Sequence, residues 1–268
     1  MLCHLLLRLH ETGDQKRLRG RLKGRPLSVV LVHGLGVTER IFFEPKKERL
    51  LFLPLFPFFE GGQALGESLR GYNVLSFTQS PYGTVEEESE RLRELTYGLD
   101  NFALVAHSRG GIVARYAIQR FGIRPRCLVC LSTPHRGSSI AEFVLRRKRF
   151  LRWISPGLFP ALEELKRGSI LLDWLNGNPE KEASVPHFDI AGFKPFGFLR
   201  YMRPFLPPME EIQEGKGDGL VSVFSARSPV TKDHHFFCLA VNHASILVDK
   251  GVARIVQEIL TCISKGQE

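Results

Sequence analysis

The sequence lacks any apolar run long enough to cross a bilayer, since no window approaches the roughly 18 consecutive apolar residues of a membrane span. The amino-terminal stretch "MLCHLLLRLHE" has a short leucine cluster, but it lacks a long apolar core and a small-residue cleavage site. It therefore does not match a secretory signal. We expect a cytoplasmic protein, with peripheral attachment to a membrane left open.

Cysteine is also scarce: the chain has five, an odd number spread along its length. This count argues against a disulfide framework and favours a reducing compartment. Cys127 and Cys130 form a C-x-x-C pattern, but "RCLVCLS" has the apolar character of a buried strand. We interpret both cysteines as core residues rather than as redox or metal-binding groups.

Acidic residues are outnumbered, and the formal net charge is +9. Basic residues concentrate in "QKRLRGRLKGRP" (Gln15 to Pro26) and, with interleaved aromatics, in "RRKRFLRW" (Arg146 to Trp153). Neither segment matches a helix-turn-helix, zinc-finger or RNA-binding signature, so we expect no nucleic acid partner. Two interpretations stay open: an anionic membrane surface as partner, or an ordinary basic surface that keeps the protein dispersed.

The length of 268 residues and the 43% hydrophobic content allow one large core. Strand and helix patterns alternate from "LSVVLVHG" (Leu27 to Gly34) to the amphipathic helix "KGVARIVQEILTCI" (Lys250 to Ile263). This alternation predicts an α/β fold with a doubly wound, mostly parallel sheet, in which ligands bind at the carboxyl ends of the strands. We expect a basic arm over residues 1–26 and one α/β domain over residues 27–268.

Two segments interrupt the alternation: Ile41 to Gly62, rich in proline, and a cap insertion over about residues 138–185. Both follow predicted strands, so they are either extra helices on the core or a mobile apolar cover. The other predicted elements are strands at Tyr72–Phe77, Phe102–Ala106, Cys127–Thr133, His187–Phe193 and His234–Val241, and helices at Thr84–Leu99 and Arg109–Phe121.

The stretch "FALVAHSRGG" (Phe102 to Gly111) predicts a strand, a sharp turn and a helix with Ser108 at the turn. Such a turn needs small neighbours two positions away, and these are Ala106 and Gly110. The turn presents the Ser108 hydroxyl above the sheet edge and directs the Arg109 amide at any group bonded to it. Ser108 is therefore a candidate nucleophile.

A serine nucleophile needs a base and an orienting carboxylate. The best candidates are Asp218 in "GKGDGLVS" and His243 in "VNHASIL", which follow Ser108 in the chain. Asp189, within a strand pattern, is the alternative acid. The rival bases, His234 and His235, begin a predicted strand beside charged residues.

An acyl-transfer site also needs two amide donors for an oxyanion. One is the Arg109 amide. The other is the Leu35 amide in "LVHGLGV", where Gly34 and Gly36 allow the backbone to approach a substrate. His33 is placed to brace this loop by hydrogen bonding.

Five motifs occur in a familiar order: "LVHGLG", "LVAHSRGGIVARY", "LSTPHRGS", "GDGLVS" and "VNHASI". Over roughly residues 27–259 they resemble serine lipases and esterases of the α/β-hydrolase fold, in particular bacterial triacylglycerol lipases and the inositol-deacylase and lecithin-acyltransferase group. The resemblance implies a Ser108–Asp218–His243 triad, an oxyanion hole from the Leu35 and Arg109 amides, and a lid-like cap after "TPHRGS". Ala106 stands where the commoner motif has glycine, and the proline-rich stretch after Leu35 is unusual.

These features together predict hydrolysis of a carboxylic ester, a lipid among the candidates, through an acyl-enzyme, with no metal or organic cofactor required. Phenylalanine, leucine and proline crowd both segments expected to border the site, which favours an apolar acyl chain. Two alternatives stay open: acyl transfer to an alcohol on the same site, and a non-catalytic hydrolase-like protein that binds a lipid or partner. The sequence does not indicate an oligomeric state.

Overall fold

The computed structural model describes residues 26–50, 53–54, 62–146 and 158–266. The basic arm up to residue 25, most of "RRKRFLRW" and the middle of the proline-rich segment lie outside the described residues. The predictions made on those stretches are therefore not addressed by the structure.

Six parallel strands form the main sheet, in the order β4-β1-β5-β6-β7-β8. A separate antiparallel pair is formed by β2 and β3. The prediction of a parallel, doubly wound sheet is confirmed. In chain order the strands are β1 (Ser28–Val32), β2 (Arg49–Leu50), β3 (Leu53–Pro54), β4 (Asn73–Phe77), β5 (Phe102–His107), β6 (Leu128–Leu131), β7 (His187–Gly192) and β8 (Phe236–Leu239).

Helices pack on both faces of this sheet. The helices in the described part of the chain are α1 (Leu65–Ser68), α2 (Val85–Thr96), α3 (Arg109–Phe121), α4 (Ser139–Arg146), α5 (Phe159–Leu165), α6 (Ile170–Gly177), α7 (Leu199–Met202) and α8 (Lys250–Lys265). Every helix in the described part of the chain is too short or too polar to cross a lipid bilayer.

The sheet separates two apolar cores, and β1 shows why. Val29 and Leu31 point into the core beneath α8, whereas Val30 and Val32 point into the core beneath α2 and α3. Successive side chains of a strand face opposite sides, so a strand covered on both faces must be apolar throughout. The continuous apolar runs in the sequence have this cause.

Two helix boundaries predicted from local signals are confirmed. Thr84 caps α2 through a reciprocal capping box, in which its side chain accepts from the Glu87 amide and the Glu87 carboxylate accepts from the Thr84 amide at 2.8 Å. Gly122 ends α3 in the left-handed region, at φ 70°.

The described part of the 138–185 insertion contributes α4, α5 and α6. Leu172 and Leu175 of α6 are buried in the core beneath α3, so α6 packs as an extra helix on the domain. Whether this insertion covers a bound substrate stays a prediction. At the start of the proline-rich segment, Ile41 and Phe42 are buried in the core beneath α8, so this part of the segment also packs on the domain.

The cysteines differ in state. Cys127 and Cys130 are buried free thiols, and burial raises the pKa of Cys127 to about 12, which fits the structural role predicted for both. Cys262, however, is disulfide-bonded. The prediction was that no disulfide framework forms, and one bridged cysteine beside three free ones among the described residues does not amount to such a framework. The reducing compartment stays a prediction.

Candidate active site

Ser108 lies between the end of β5 and the start of α3 in a strained conformation. Its φ of 54° and ψ of −127° are unusual for a residue with a side chain. The start of α3 also lies close to β1, because a Cβ on Gly110 would clash with the Val32 carbonyl oxygen. The predicted strand, turn and helix are all present, and Ser108 is partly exposed at the carboxyl edge of the sheet.

Asp218 and His243 are directly paired. The His243 Nδ1 lies 2.7 Å from the Asp218 Oδ2, and the His243 amide donates to the Asp218 carbonyl oxygen at 3.0 Å. The other carboxylate oxygen accepts from the amides of Leu220 at 2.9 Å and Val221 at 2.8 Å. A carboxylate can only accept, so Nδ1 carries the proton of this hydrogen bond, and in the neutral imidazole Nε2 is then the nitrogen with the free lone pair.

His107 links this pair to the turn of Ser108, and sequence reasoning did not single it out. Its Nε2 lies 3.0 Å from the His243 carbonyl oxygen, and the two imidazole rings are 4.7 Å apart between centroids. Burial and the neighbouring His243 keep the pKa of His107 well below its usual value, so the ring is neutral and Nε2 carries the donated proton. The sequence signal was a polar residue that ends an apolar strand immediately before Ser108.

The loop after β1 lies against the same turn. A Cβ on Gly34 would lie 3.0 Å from the Ser108 Cβ, and Gly36 adopts a φ of 73°. Leu35, between these glycines, is thus on a backbone segment in contact with the turn. Arg109 is the first residue of α3, where an amide has no partner within the helix. Both candidate oxyanion donors therefore belong to elements that meet at Ser108.

His33 braces this loop, as expected. Its Nδ1 donates to the Gly34 carbonyl oxygen at 2.8 Å, and its Nε2 accepts from the Gln79 amide at 2.8 Å. Burial lowers the pKa of His33, which favours the neutral ring that this pattern requires.

The rival residues are engaged elsewhere. Asp189 is buried and contacts His135 at 3.2 Å, the Ser228 amide at 2.7 Å and the Thr231 hydroxyl at 2.6 Å. His235 bonds through Nδ1 to a carbonyl oxygen of β7, at the amino end of the sheet, and its neighbour His234 is exposed. Of the candidate acids, Asp218 is therefore the one that contacts His243.

Cys130, His135 and Asp189 form one buried group whose potential ligand atoms lie within 4.8 Å of one another. Arg115 also lies in this group, with Nη1 3.3 Å from the His135 Nδ1. Burial raises the pKa of the Cys130 thiol well above its usual value, so it is not the thiolate that metals bind. The guanidinium and the neutral thiol make this a hydrogen-bonded core cluster with poor chemistry for a metal ion.

Aromatic side chains border the loop of Asp218. Phe196 stacks on Phe198 with centroids 5.9 Å apart, and a Cβ on Gly219 would lie 2.5 Å from the Phe196 ring. Farther along the segment that contains Phe196 and Phe198, Tyr201 is 79% exposed and Phe205 is 80% exposed. These large apolar groups face solvent on the segment that follows β7.

Comparisons with known proteins agree with this architecture. The sequence profile of the alpha/beta hydrolase family matches residues 29–241. Among curated proteins, no sequence matches this chain. The mature lipase BlEst2 of Bacillus licheniformis has 20% identity and a TM-score of 0.63, over 89% of this chain and 93% of that one.

Two further solved structures have the same architecture. A metagenomic carboxyl esterase, MGS0156, has 16% identity and a TM-score of 0.62, over 91% of this chain and 80% of that one. Phospholipase PlaB from Legionella pneumophila has 18% identity and a TM-score of 0.51, over 75% of this chain and 45% of that one. At such identities the similarity to these three structures establishes a shared fold.

Proposed function

Because the chain belongs to the alpha/beta hydrolase family, we propose that it is a carboxylic ester hydrolase that acts on esters of apolar acyl chains. Ser108 is the nucleophile, His243 the general base and Asp218 its orienting acid. The observation that carries this proposal is the Asp218–His243 pair, held through His107 against the strained turn of Ser108. The lipase and esterase folds of the structural relatives support the reaction class.

The proposed reaction starts at the Ser108 hydroxyl. His243 Nε2 takes its proton while the serine oxygen attacks the ester carbonyl carbon, and the carbonyl electrons move to oxygen. The Leu35 and Arg109 amides bind the resulting oxyanion. When the oxyanion collapses, the alcohol leaves with the proton from His243, and an acyl-serine remains. Water, deprotonated by His243, then repeats the attack and releases the acid.

Asp218 orients the imidazole in this scheme. Its two backbone hydrogen bonds, from Leu220 and Val221, hold one carboxylate oxygen in place while the other accepts from His243. The positive charge that develops on His243 then has a fixed, buried negative partner. The carboxylate also prevents the imidazole from turning its protonated nitrogen toward Ser108.

We further propose that the ester is presented at an anionic membrane surface. The segment over residues 193–209 contains Lys194, Arg200 and Arg203 and no acidic residue. The same segment carries the exposed rings of Tyr201 and Phe205. Aromatic and cationic groups together suit the headgroup boundary of a bilayer, and this segment starts beside the loop of Asp218.

Two other functions compete with hydrolysis. Acyl transfer to an alcohol would use the same residues up to the acyl-serine and then exclude water. A non-catalytic lipid-binding protein would have no use for the Asp218–His243 pair. The pairing of these residues favours an enzyme over a binder.

A panel of p-nitrophenyl esters with graded acyl length tests the proposal. We expect a burst of p-nitrophenol followed by steady turnover, with faster cleavage of esters that have longer acyl chains. The free acid should be the main product even when a primary alcohol is added. If the main product is instead the ester of the added alcohol, the protein is an acyltransferase. No turnover of any ester and no labelling by a fluorophosphonate probe would contradict the serine mechanism.

A further inference from the structure

Gln79 lies in a buried polar network that joins the two sides of the proposed oxyanion hole. It follows β4 and is only 4% exposed. Its backbone amide donates to the His33 Nε2 at 2.8 Å, and its side-chain Nε2 donates to the His33 carbonyl oxygen. Its Oε1 accepts from the Arg109 Nη1 at 2.8 Å. Gln79 therefore contacts the loop after β1 and the first residue of α3 at once.

The direction of each hydrogen bond in this network is determined. A guanidinium has no acceptor, so the oxygen of the Gln79 amide must face Arg109 and its nitrogen must face His33. On the other side, His33 must accept at Nε2 and donate at Nδ1 to the Gly34 carbonyl oxygen. Gly34 precedes Leu35, so the chain of bonds ends one residue from a proposed oxyanion donor.

The Arg109 side chain, at the opposite end of the network from Gly34, is held by further contacts. Its guanidinium is fully buried, donates to the Gly83 carbonyl oxygen, and has Nη2 3.5 Å from the Glu164 Oε2. A buried cation is stable only with such partners. The backbone amide of this same residue is the second proposed oxyanion donor, so the side chain helps hold the start of α3 in place.

We propose that Gln79 is a positioning residue that sets the separation of the Leu35 and Arg109 amides. This inference rests on the proposed function. Gln79 touches neither substrate nor Ser108 in the scheme; it acts through His33 and Arg109. Loss of one oxyanion donor typically costs about 10²- to 10³-fold in kcat, so displacement of the two amides is expected to cost less than that.

The physical requirement is specific for glutamine. One side chain must present an acceptor to Arg109 and a donor to the His33 carbonyl oxygen. Leucine has similar size and neither group. Glutamate keeps an acceptor for Arg109 and forms an ion pair with it, but it lacks the donor.

The test uses the full chain and p-nitrophenyl esters. For Gln79→Leu we expect kcat to fall by about 10- to 100-fold with KM changed less than about threefold, because only the transition state bears the oxyanion. Affinity for an alkyl boronic acid, which forms a tetrahedral adduct with serine, is expected to fall by a similar factor. Gln79→Glu is expected to lose about tenfold in kcat.

The matched control is Gln119→Leu. Gln119 is also buried and also donates to a backbone carbonyl oxygen, that of Leu175 at 2.9 Å, but it lies in the second half of α3. Rates are compared per folded molecule, from circular dichroism and active-serine titration.

Three outcomes are distinguishable. Loss of kcat and boronate affinity in the Gln79 variants, with Gln119→Leu near wild type, supports the positioning role. Equal effects in Gln79→Leu and Gln119→Leu, or a wild-type kcat in Gln79→Glu, overturn it. The Gln79→Glu result decides the matter where Gln79→Leu fails to fold. Wild-type protein that cleaves no ester refutes the proposed function itself.

Discussion

The Nε2 of His107 lies 3.0 Å from the carbonyl oxygen of His243, a residue 136 positions away in the chain. His107 precedes the proposed nucleophile, and His243 is the proposed base. One hydrogen bond thus ties the nucleophile's turn to the loop that carries the base, and the Asp218 carbonyl oxygen holds that loop from the other side through the His243 amide. The geometry of the proposed triad depends on these backbone contacts as well as on the Asp218–His243 side-chain pair.

Replacing Ser108 with alanine is expected to reduce ester hydrolysis by about 10⁴-fold or more, because only binding and oxyanion stabilisation would remain. The change removes one hydroxyl, and alanine avoids any added bulk in the tight turn. Initial rates with the best ester of the panel measure the effect. Ser264→Ala, in the last turn of α8, is the control and should keep the wild-type rate. A Ser108→Ala protein with more than a tenth of the wild-type rate would rule out the serine mechanism.

Asp218→Asn is expected to lower kcat by about 10⁴-fold, because an amide can stabilise the wrong imidazole tautomer and cannot balance its charge. Asp189→Asn is a matched control, since Asp189 is likewise buried and bonded to a histidine, His135. We expect that variant to lose stability but to keep its rate per folded molecule. Steady-state kinetics with active-serine titration separate the two effects. A lower rate in Asp189→Asn than in Asp218→Asn would assign the acid to β7.

Acid is expected to destabilise the fold through His187. Burial lowers its pKa to about 4, and among the described residues neither ring nitrogen has a hydrogen-bond partner. The neighbouring charged and titratable groups are Glu182, Arg115, Asp189 and His135. Between the unfolded pKa of 6.5 and the folded value, the unfolded chain binds more protons. The neutral His187 side chain therefore makes its full contribution to stability above the unfolded pKa. That contribution is lost as pH falls toward the folded pKa.

Urea unfolding at neutral pH and near pH 4.5 measures this effect. The free energy of unfolding of the wild type is expected to fall between these two pH values. For His187→Leu this fall should be smaller by roughly 2 kcal/mol. His234→Leu is the control, because His234 is exposed, and we expect it to change the pH dependence much less than His187→Leu does. The assignment to His187 would be wrong if both variants lost stability with acid as steeply as the wild type.

Anionic vesicles are expected to recruit the protein at low salt, with each basic residue near the surface adding about 1 kcal/mol. Salt screens this attraction, so binding should weaken at high salt. Sedimentation with phosphatidylglycerol vesicles measures it, and vesicles of zwitterionic lipid provide the comparison. Esters carried in such vesicles should also be cleaved faster than the same esters dissolved as monomers.

The aromatic residues after β7 give this prediction a sharper form. A Tyr201→Ser/Phe205→Ser double variant should bind the anionic vesicles more weakly than the wild type. Tyr97→Ser is the control: Tyr97 is 90% exposed but follows α2, at the end of the sheet opposite Ser108. Absence of binding at low salt would leave the basic residues as an ordinary solvated surface, and equal binding by both variants would exclude the segment after β7.

Local sequence patterns were sufficient to predict the sheet and the turn at Ser108. Continuous apolar runs identify strands buried on both faces, and the capping box at Thr84 and the glycine at position 122 mark helix ends. Each of these signals depends on backbone sterics and burial within a few residues, so it can be interpreted without knowing the rest of the fold. The order of Ser108, Asp218 and His243 in the chain further indicated the proposed reaction class, a serine hydrolase.

Only the tertiary structure decided which distant polar groups meet. It paired Asp218 rather than Asp189 with His243, and it placed Gln79 between His33 and Arg109. A buried histidine or glutamine carries no local pattern that names its partner, because hydrogen-bond geometry is satisfied only when separate strands and loops come within about 3 Å. The sequence therefore determined the elements and the candidate residues, and the packing of those elements at the carboxyl edge of the sheet determined which candidates can act together.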